Sequence, residues 1–240
     1  MAVPALYERA NLSYAFRNAG IRVLASKTHG KVVEKRLKMY VAEQRERAAS
    51  ERHALAQLAQ AGGHANLVRM YESVWEPGYY HCSLVMEYCK IGTLGGFVET
   101  YTTASKLIEE KYCWQVLFQL ASTLAMCHEG ISDVNRPSNR IANWNPIYHL
   151  DIKLGNIFLD AEEETHIIHK HGLPRVVLGD FGCSVTQADF DTGRFDVDKM
   201  ELGTPYCLPP EKWDWQMDEH VDGPSGAFTD VWQMGAVIQW

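Results

Sequence analysis

His149-Leu150-Asp151-Ile152-Lys153-Leu154-Gly155-Asn156 is a segment that places three different functional side chains close together. The carboxylate of Asp151 can accept a proton, and the ammonium of Lys153 can hold a phosphate. The carboxamide oxygen of Asn156 can bind a hard cation. Catalysis of phosphoryl transfer consists mainly of positioning groups and neutralising charge, so it needs such side chains in one place. The segment therefore predicts an enzyme that moves a phosphoryl group.

Two short apolar runs that follow this segment are typical of β-strands. The first is Ile157-Phe158-Leu159, directly after Asn156. The second is Val176-Val177-Leu178, which leads into Asp180-Phe181-Gly182. A strand ending there would carry Asp180 to the same site, where its carboxylate would be a second metal ligand.

Further motifs continue this order: Gly203-Thr204-Pro205-Tyr206, Pro209-Pro210-Glu211 and Asp230-Val231-Trp232. The whole series resembles the catalytic half of a eukaryotic protein kinase, in which H-R-D, D-F-G and A-P-E signatures follow one another. The resemblance implies an α+β, bilobal protein kinase-like fold with a small β-rich N-lobe containing one helix, and a mainly α-helical C-lobe. It covers residues 1–240 as a partial kinase domain, with the N-lobe at 1–87 and the hinge and truncated C-lobe at 88–240.

The resemblance also implies a role for each residue of the first segment. Asp151 is the expected base and aligner of a substrate hydroxyl, and Lys153 would stabilise the transferred phosphoryl group. Asn156 and Asp180 would hold magnesium, which prefers oxygen ligands together with phosphates. ATP is the implied donor and a protein Ser or Thr hydroxyl the acceptor, because Lys153 at that spacing and Thr204 resemble the serine/threonine group. The runs 178–182 and 203–206 look similar to the NIMA-related kinases.

The first part of the chain is expected to form the opening strands of a small sheet over residues 11–38. Ile21–Leu24 and Val32-Val33 are the candidate strands, joined by a turn at Thr28-His29-Gly30. A kinase carries a glycine-rich loop here, and only Gly20 matches it. Val23 is expected beside Gly20 in the nucleotide site. Fewer glycines allow less close approach of the backbone to phosphates.

A lysine on the next strand is expected to contact the nucleotide. Lys35 is the first choice, since it shares a strand face with Val33, and Lys38 remains the alternative. Residues 40–61 are predicted to form a helix with Val41, Ala48, Leu55 and Leu58 near one face, ended by Gly62-Gly63. The resemblance of His64–Val68 to the kinase H-P-N-I-V run places Glu51 as the helix partner of the lysine.

The hinge of a kinase is matched by Glu87-Tyr88-Cys89-Lys90-Ile91-Gly92. Adenine would meet main-chain groups of Glu87 and Cys89, with Met86 at the back of the pocket. A core-facing helix follows, with apolar residues spaced by three and four at Cys113, Val116, Leu117, Leu120, Leu124 and Cys127. Residues 132–146 are rich in Asn, Pro, Ser and Arg, which favours a surface insertion.

Leu150 stands where the H-R-D motif has arginine. In many kinases that arginine grips a phosphate on the activation loop through bidentate hydrogen bonds, and leucine has no donor. We therefore expect that phosphorylation of the activation loop does not switch this chain by that route.

Composition restricts the partners and the compartment. The formal net charge is −7, which disfavours non-specific binding to nucleic acid or to an anionic membrane. The six cysteines include no C-x-x-C pair, and buried thiols in a reducing compartment are the favoured interpretation. Neither a signal peptide nor a membrane span is indicated. An intracellular protein, cytoplasmic or nuclear, is expected. His166, His169 and His171 are interpreted as part of a solvated loop rather than as a zinc site.

A pseudokinase, which binds nucleotide or partners without catalysis, is the alternative. The sparse glycines, Leu150 and the end of the chain at Trp240 favour it. The presence of Asp151, Lys153, Asn156 and Asp180 opposes it.

Overall fold

The computed structural model describes residues 7–9, 20–75, 80–161, 174–193, 202–214 and 216–239. The chain divides into two compact units, Met1–Gly63 with Val68–Tyr88, and His64–Leu67 with Cys89–Trp240. Among the described residues, one helix belongs to the first unit and the other helices belong to the second.

Five strands form the first unit: β1 Tyr7–Arg9, β2 Ile21–Ser26, β3 Gly30–Lys38, β4 Met70–Val74 and β5 His81–Glu87. They make one antiparallel sheet in the order β1-β2-β3-β5-β4. The predicted strands at 21–24 and 32–33 are confirmed, as is the turn between them. In that turn Gly30 has a φ of 67°, and Ser26 Oγ accepts the N–H groups of Thr28 and His29 at 3.2 Å.

One helix, α1 (Ala42–Gln60), lies against β3 and β4. Its buried residues are Ala48, Ala49, Ser50, Glu51, Ala54, Leu55 and Leu58. The prediction of a helix over 40–61 is confirmed, but the placement of Val41 on its apolar face is wrong. Val41 precedes the first turn and is 53% exposed. Gly62 and Gly63 follow with φ of 90° and 74°, which only glycine adopts readily, and so the helix stops there.

The second unit combines helices with short strands: β6 Gly92–Thr93, α2 Leu94–Thr103, α3 Glu110–Glu129, β7 Ile147–Tyr148, β8 Ile157–Asp160, β9 Arg175–Leu178, β10 Val185–Thr186, α4 Gln187–Asp191, β11 Trp213–Asp214, β12 Glu219–His220 and α5 Ala227–Ile238. Strand β8 lies between β6 and β9, and β7 pairs with β10. The predicted strands at 157–159 and 176–178 are confirmed. His166, His169 and His171 lie outside the described residues.

Helix α3 has the predicted apolar side. Val116, Leu120, Leu124 and Cys127 are buried, and Cys113 and Leu117 are half-buried. The helix ends at Gly130, whose φ of 67° is left-handed. Across the described ranges, no helix has both the length and the apolar character needed to cross a membrane.

The C-terminal end of the loop at 132–146 is hydrogen-bonded to two helices, α3 and α4. Trp144 donates its indole N–H to the carbonyl of Cys127 on α3 at 2.8 Å. Pro146 accepts the N–H of Gln187 at 2.8 Å, and Asn145 Oδ1 accepts the N–H of Ala188 at 3.0 Å. These bonds satisfy donors in the first turn of α4. The insertion therefore supports the short helix that follows β10.

Candidate catalytic site

The loop between β7 and β8 carries the residues that the sequence singled out. Asp151 is 8% exposed and Asn156 is 5% exposed. The Asn156 carboxamide donates to the Asp151 backbone carbonyl at 2.8 Å and to Asp151 Oδ2 at 2.9 Å. Because the amide nitrogen faces Asp151, the carboxamide oxygen is oriented away from that carboxylate.

The carboxylate of Asp151 also meets a lysine and a threonine. Lys153 Nζ lies 2.9 Å from Asp151 Oδ2 and donates to Thr204 Oγ1 at 2.7 Å. The Thr204 hydroxyl in turn donates to Asp151 Oδ1 at 2.7 Å. Each of the three side chains thus contacts the other two. Such a closed set of charge-assisted hydrogen bonds holds the carboxylate in one orientation.

A buried carboxylate on α5 holds the backbone of this loop. Asp230 is 0% exposed and accepts the N–H of His149 at 2.9 Å and that of Leu150 at 2.7 Å. His128 at the end of α3 lies with Nε2 2.8 Å from the same carboxylate. Asp230 thus braces the backbone of the loop between β7 and β8. The contribution of His128 was not anticipated, because 102 residues separate the two.

Leu150 occupies the arginine position of the H-R-D motif and is 1% exposed. It belongs to an apolar cluster with Val185 and Leu202, to which Tyr148, Cys183 and Phe190 add half-buried contacts. Its φ of 61° is unusual for a residue with a branched side chain. At the position of the motif arginine, the chain therefore has an apolar side chain that contacts both ends of the segment after Gly182.

Asp180 follows β9 with φ of 59° and ψ of 72°. Its neighbour Gly179 donates to the backbone carbonyl of Asn156 at 2.9 Å, so the chain passes directly beside the loop between β7 and β8. Within the described ranges, no group of three or more His, Cys, Asp or Glu side chains could hold a metal ion. Oxygens from Asn156 and Asp180 nevertheless fit magnesium, which keeps waters and takes further ligands from phosphates.

In the first unit, Lys35 on β3 pairs with Glu51 on α1. Lys35 Nζ lies 2.6 Å from Glu51 Oε1, and their side chains are 17% and 2% exposed. Lys38, the alternative, is exposed at the end of β3. The structure thus brings together Lys35 and Glu51, and it gives Glu51 no such contact with Lys38.

Gly20 and Val23, which were also expected to bind nucleotide, lie directly before β2 and within it. Gly20 accepts the N–H of Arg36 at 2.7 Å, and a Cβ on Gly20 would lie 2.8 Å from the Arg36 carbonyl oxygen. Val23 on β2 is half-buried opposite Val33. Close approach of β2 and β3 therefore explains Gly20 without any ligand.

Glu87 ends β5 in the first unit, and Cys89 begins a segment of the second. The N–H of Glu87 donates to the Arg69 carbonyl at 2.9 Å, and Glu87 Oε1 accepts the Arg69 N–H at 2.8 Å. The backbone N–H of Glu87 is thus already used within the sheet.

Gln233 on α5 was not singled out from the sequence. It is 0% exposed and hydrogen-bonds to the backbone at Leu150 and Ile152. A signal was present, because Gln233 follows Asp230 by three positions, and such residues share one face of a helix.

Comparison with known proteins identifies the family of the chain. The family described as protein kinase domain matches residues 19–239. The chain therefore belongs to the protein kinase domain family, and the predicted family and α+β kinase-like fold are confirmed.

The chain is similar to NIMA-related kinases, as predicted. It is 27% identical to human serine/threonine-protein kinase Nek2 over 175 residues, 73% of this chain and 32% of that protein. It is 30% identical to the G2-specific protein kinase fin1 of Schizosaccharomyces pombe over 179 residues, 73% of this chain and 22% of fin1. The chain spans less than a third of the length of these relatives.

A solved structure is also similar in fold. The Cydia pomonella granulovirus kinase PK-1 matches 98% of this chain and 67% of its own, with a TM-score of 0.62 and 18% identity.

Proposed function

We propose that the chain is a protein serine/threonine kinase that transfers the γ-phosphoryl group of ATP to a Ser or Thr hydroxyl of a protein. The observation that carries the proposal is the set of contacts among Asp151, Lys153 and Thr204. It joins a proton acceptor, a fixed positive charge and the 203–206 motif. Membership of the protein kinase family, with serine/threonine kinases among the relatives, supports the same reaction.

The residues have separate roles in this reaction. Asp151 orients the substrate hydroxyl and accepts its proton as the oxygen attacks the γ-phosphorus. The bond from that phosphorus to the β–γ bridging oxygen breaks, and the electron pair stays on ADP. Lys153, 2.9 Å from Asp151, offsets charge on the transferred group. Magnesium held by Asn156 and Asp180 would neutralise charge on the phosphates when bound.

Different groups are proposed for the phosphates and for the adenine of the nucleotide. Lys35, oriented by Glu51, would contact its phosphates, with Gly20 and Val23 beside them. Main-chain groups of Glu87 and Cys89 would meet adenine. In this proposal residues 1–87 act as the N-lobe and 88–240 as the hinge and part of the C-lobe. The expected partners are a protein substrate and ATP, without nucleic acid or membrane, in the cytoplasm or nucleus.

A pseudokinase is the second candidate. Gly20 alone matches the glycine pattern, and the backbone around it is explained by contacts between β2 and β3. A site with fewer glycines would bind nucleotide less tightly, and a pseudokinase would bind it without phosphoryl transfer.

Thermal unfolding with and without Mg-ATP, together with transfer to a generic basic protein, separates the candidates. Ligand at about a hundred times its Kd adds about 2.7 kcal/mol to the free energy of unfolding. A shift in Tm with transfer that disappears in Asp151→Asn supports the kinase. A shift without transfer supports the pseudokinase, and a folded chain with neither result contradicts both.

A further inference from the structure

Gln233 holds the two peptide units that flank the catalytic aspartate. Its Oε1 accepts the N–H of Ile152 at 2.9 Å, and its Nε2 donates to the carbonyl of Leu150 at 3.0 Å. The Leu150 carbonyl belongs to the peptide before the Asp151 Cα, and the Ile152 N–H to the peptide after it. One rigid carboxamide therefore restricts both backbone dihedral angles of Asp151.

Asp230 extends this restraint to the two peptide units that precede them in the loop. It accepts the N–H groups of His149 and Leu150. Together, two side chains from one face of α5 bind four consecutive peptide units of the loop. Both side chains are 0% exposed, so water does not compete for these bonds.

The backbone that they hold is strained. Leu150 has a φ of 61°, a left-handed conformation that a residue with a side chain adopts only where its surroundings enforce it. Asp230 binds the N–H of Leu150 and Gln233 binds its carbonyl, so the residue is held from both sides. Strain held in this way next to a functional carboxylate is a sign of a positioned site.

We infer that Gln233 is a positioning residue for phosphoryl transfer, and this inference rests on the proposed function. It touches neither substrate nor nucleotide in this scheme. It acts by fixing Asp151, because a displaced carboxylate aligns the attacking hydroxyl poorly and misplacement of about 1 Å can lower a rate about 100-fold.

The test compares Gln233→Met with Val237→Ala in the full chain. Methionine has a similar length but cannot make either hydrogen bond. Val237 is a 4% exposed residue on the same helix, and its apolar side chain makes no hydrogen bond, so its truncation lowers stability without removing a hydrogen bond to the loop. Hydrogen exchange of the Ile152 amide, kcat and KM for ATP are measured on both variants and on the unmodified chain.

We expect exchange at Ile152 to rise at least about tenfold and kcat to fall at least about tenfold in Gln233→Met, with KM for ATP unchanged. Val237→Ala should lower Tm but keep kcat within about twofold. A matching loss of kcat in both variants would mean that destabilisation alone explains the effect. Faster exchange with unchanged kcat would reduce Gln233 to a structural role, and unchanged exchange would overturn the restraint itself.

Should Gln233→Met not fold, Gln233→Glu provides the second variant, since it keeps an acceptor for Ile152 but loses the donor to Leu150. Unchanged kcat in that variant would overturn the inference. If the folded, unmodified chain transfers no phosphoryl group, the proposed function fails. The exchange result then still reports whether Gln233 restrains the loop.

Discussion

The hydroxyl of Thr204 donates to Asp151 Oδ1 at 2.7 Å, although 53 residues separate the two. Lys153 donates to the same hydroxyl oxygen, so Thr204 is both donor and acceptor. The contact connects the 203–206 motif to the loop between β7 and β8. The orientation of the carboxylate therefore depends on the end of the segment that follows Gly182.

Replacement of Thr204 by valine tests this dependence. Valine has a similar shape but no hydroxyl, so Asp151 loses one hydrogen bond. A hydrogen bond to a charged group contributes about 1.5–3 kcal/mol, and kcat should fall about 10- to 100-fold with little change in KM for ATP. Steady-state kinetics measure both constants. Thr204→Ser keeps a hydroxyl and should keep most of the activity, and equal activity of the Val and Ser variants would contradict the prediction.

The ion pair of the first unit predicts a loss of stability in Lys35→Met. Glu51 is 2% exposed and would lose its partner at 2.6 Å. Removal of one partner from a buried pair costs about 3–5 kcal/mol, which denaturant unfolding measures. Lys38→Met is the matched control, because Lys38 is exposed at the end of the same strand. Its effect should stay within about 0.5 kcal/mol, and similar losses in both variants would refute this account.

Local signals in the sequence predicted most of the elements but few of the contacts that hold the site. The strands around Gly30 and the helix ended by Gly62 follow from short-range patterns, so they could be predicted. The contact between His128 and Asp230 could not, because it joins residues 102 positions apart. Val41 was misplaced for a related reason, since periodicity indicates the face of a helix but not where its first turn begins.

The apolar cluster around Leu150 predicts an activity that does not depend on phosphorylation of the activation segment. Leu150 is 1% exposed and packs with Val185 and Leu202, which lie near the two ends of that segment. Phosphatase treatment should change kcat by less than about twofold, because this position has no arginine that could bind a phosphate. Mass spectrometry of residues 183–202 confirms the phosphorylation state. A many-fold rise in kcat on phosphorylation there, reversed by phosphatase, would disprove the idea.

The burial of the cysteines predicts the order in which they are alkylated, and this order provides a test of the proposed hinge. The six cysteines, all among the described residues, form no disulfide. Burial raises the pKa of Cys82 to about 11, and burial also raises the pKa of Cys127 and Cys207. Near neutral pH these three hold little reactive thiolate. The half-buried cysteines should react first: Cys89, Cys113 and Cys183.

Mg-ATP should slow the labelling of Cys89, because adenine is proposed to lie against its backbone. Cys113 on α3 is the internal control, and its rate should not change. Peptide mass spectrometry over a time course gives both rates in one sample. Equal rates for Cys89 with and without saturating Mg-ATP would place the nucleotide elsewhere or show that it does not bind.

Alanine substitutions at two glycines with positive φ distinguish the cost of backbone strain from the cost of steric contact. Gly193 has a φ of 60°, and among the described residues no atom outside its chain neighbours would lie within 4 Å of a Cβ added there. At Gly203, with φ of 92°, a Cβ would lie 2.7 Å from the Leu150 carbonyl oxygen. Gly193→Ala should therefore cost only the left-handed conformation, about 1–2 kcal/mol. Gly203→Ala adds an overpacking cost of about 1–3 kcal/mol.

Gly203→Ala should also lower kcat, which Gly193→Ala should not. The Leu150 carbonyl that the new methyl group would push is the one that Gln233 binds, directly before Asp151. Denaturant unfolding and kcat are measured on both variants. Equal losses of stability would mean that the loop yields to the methyl group without cost, and unchanged kcat in Gly203→Ala would show that the position of the Leu150 carbonyl does not control Asp151.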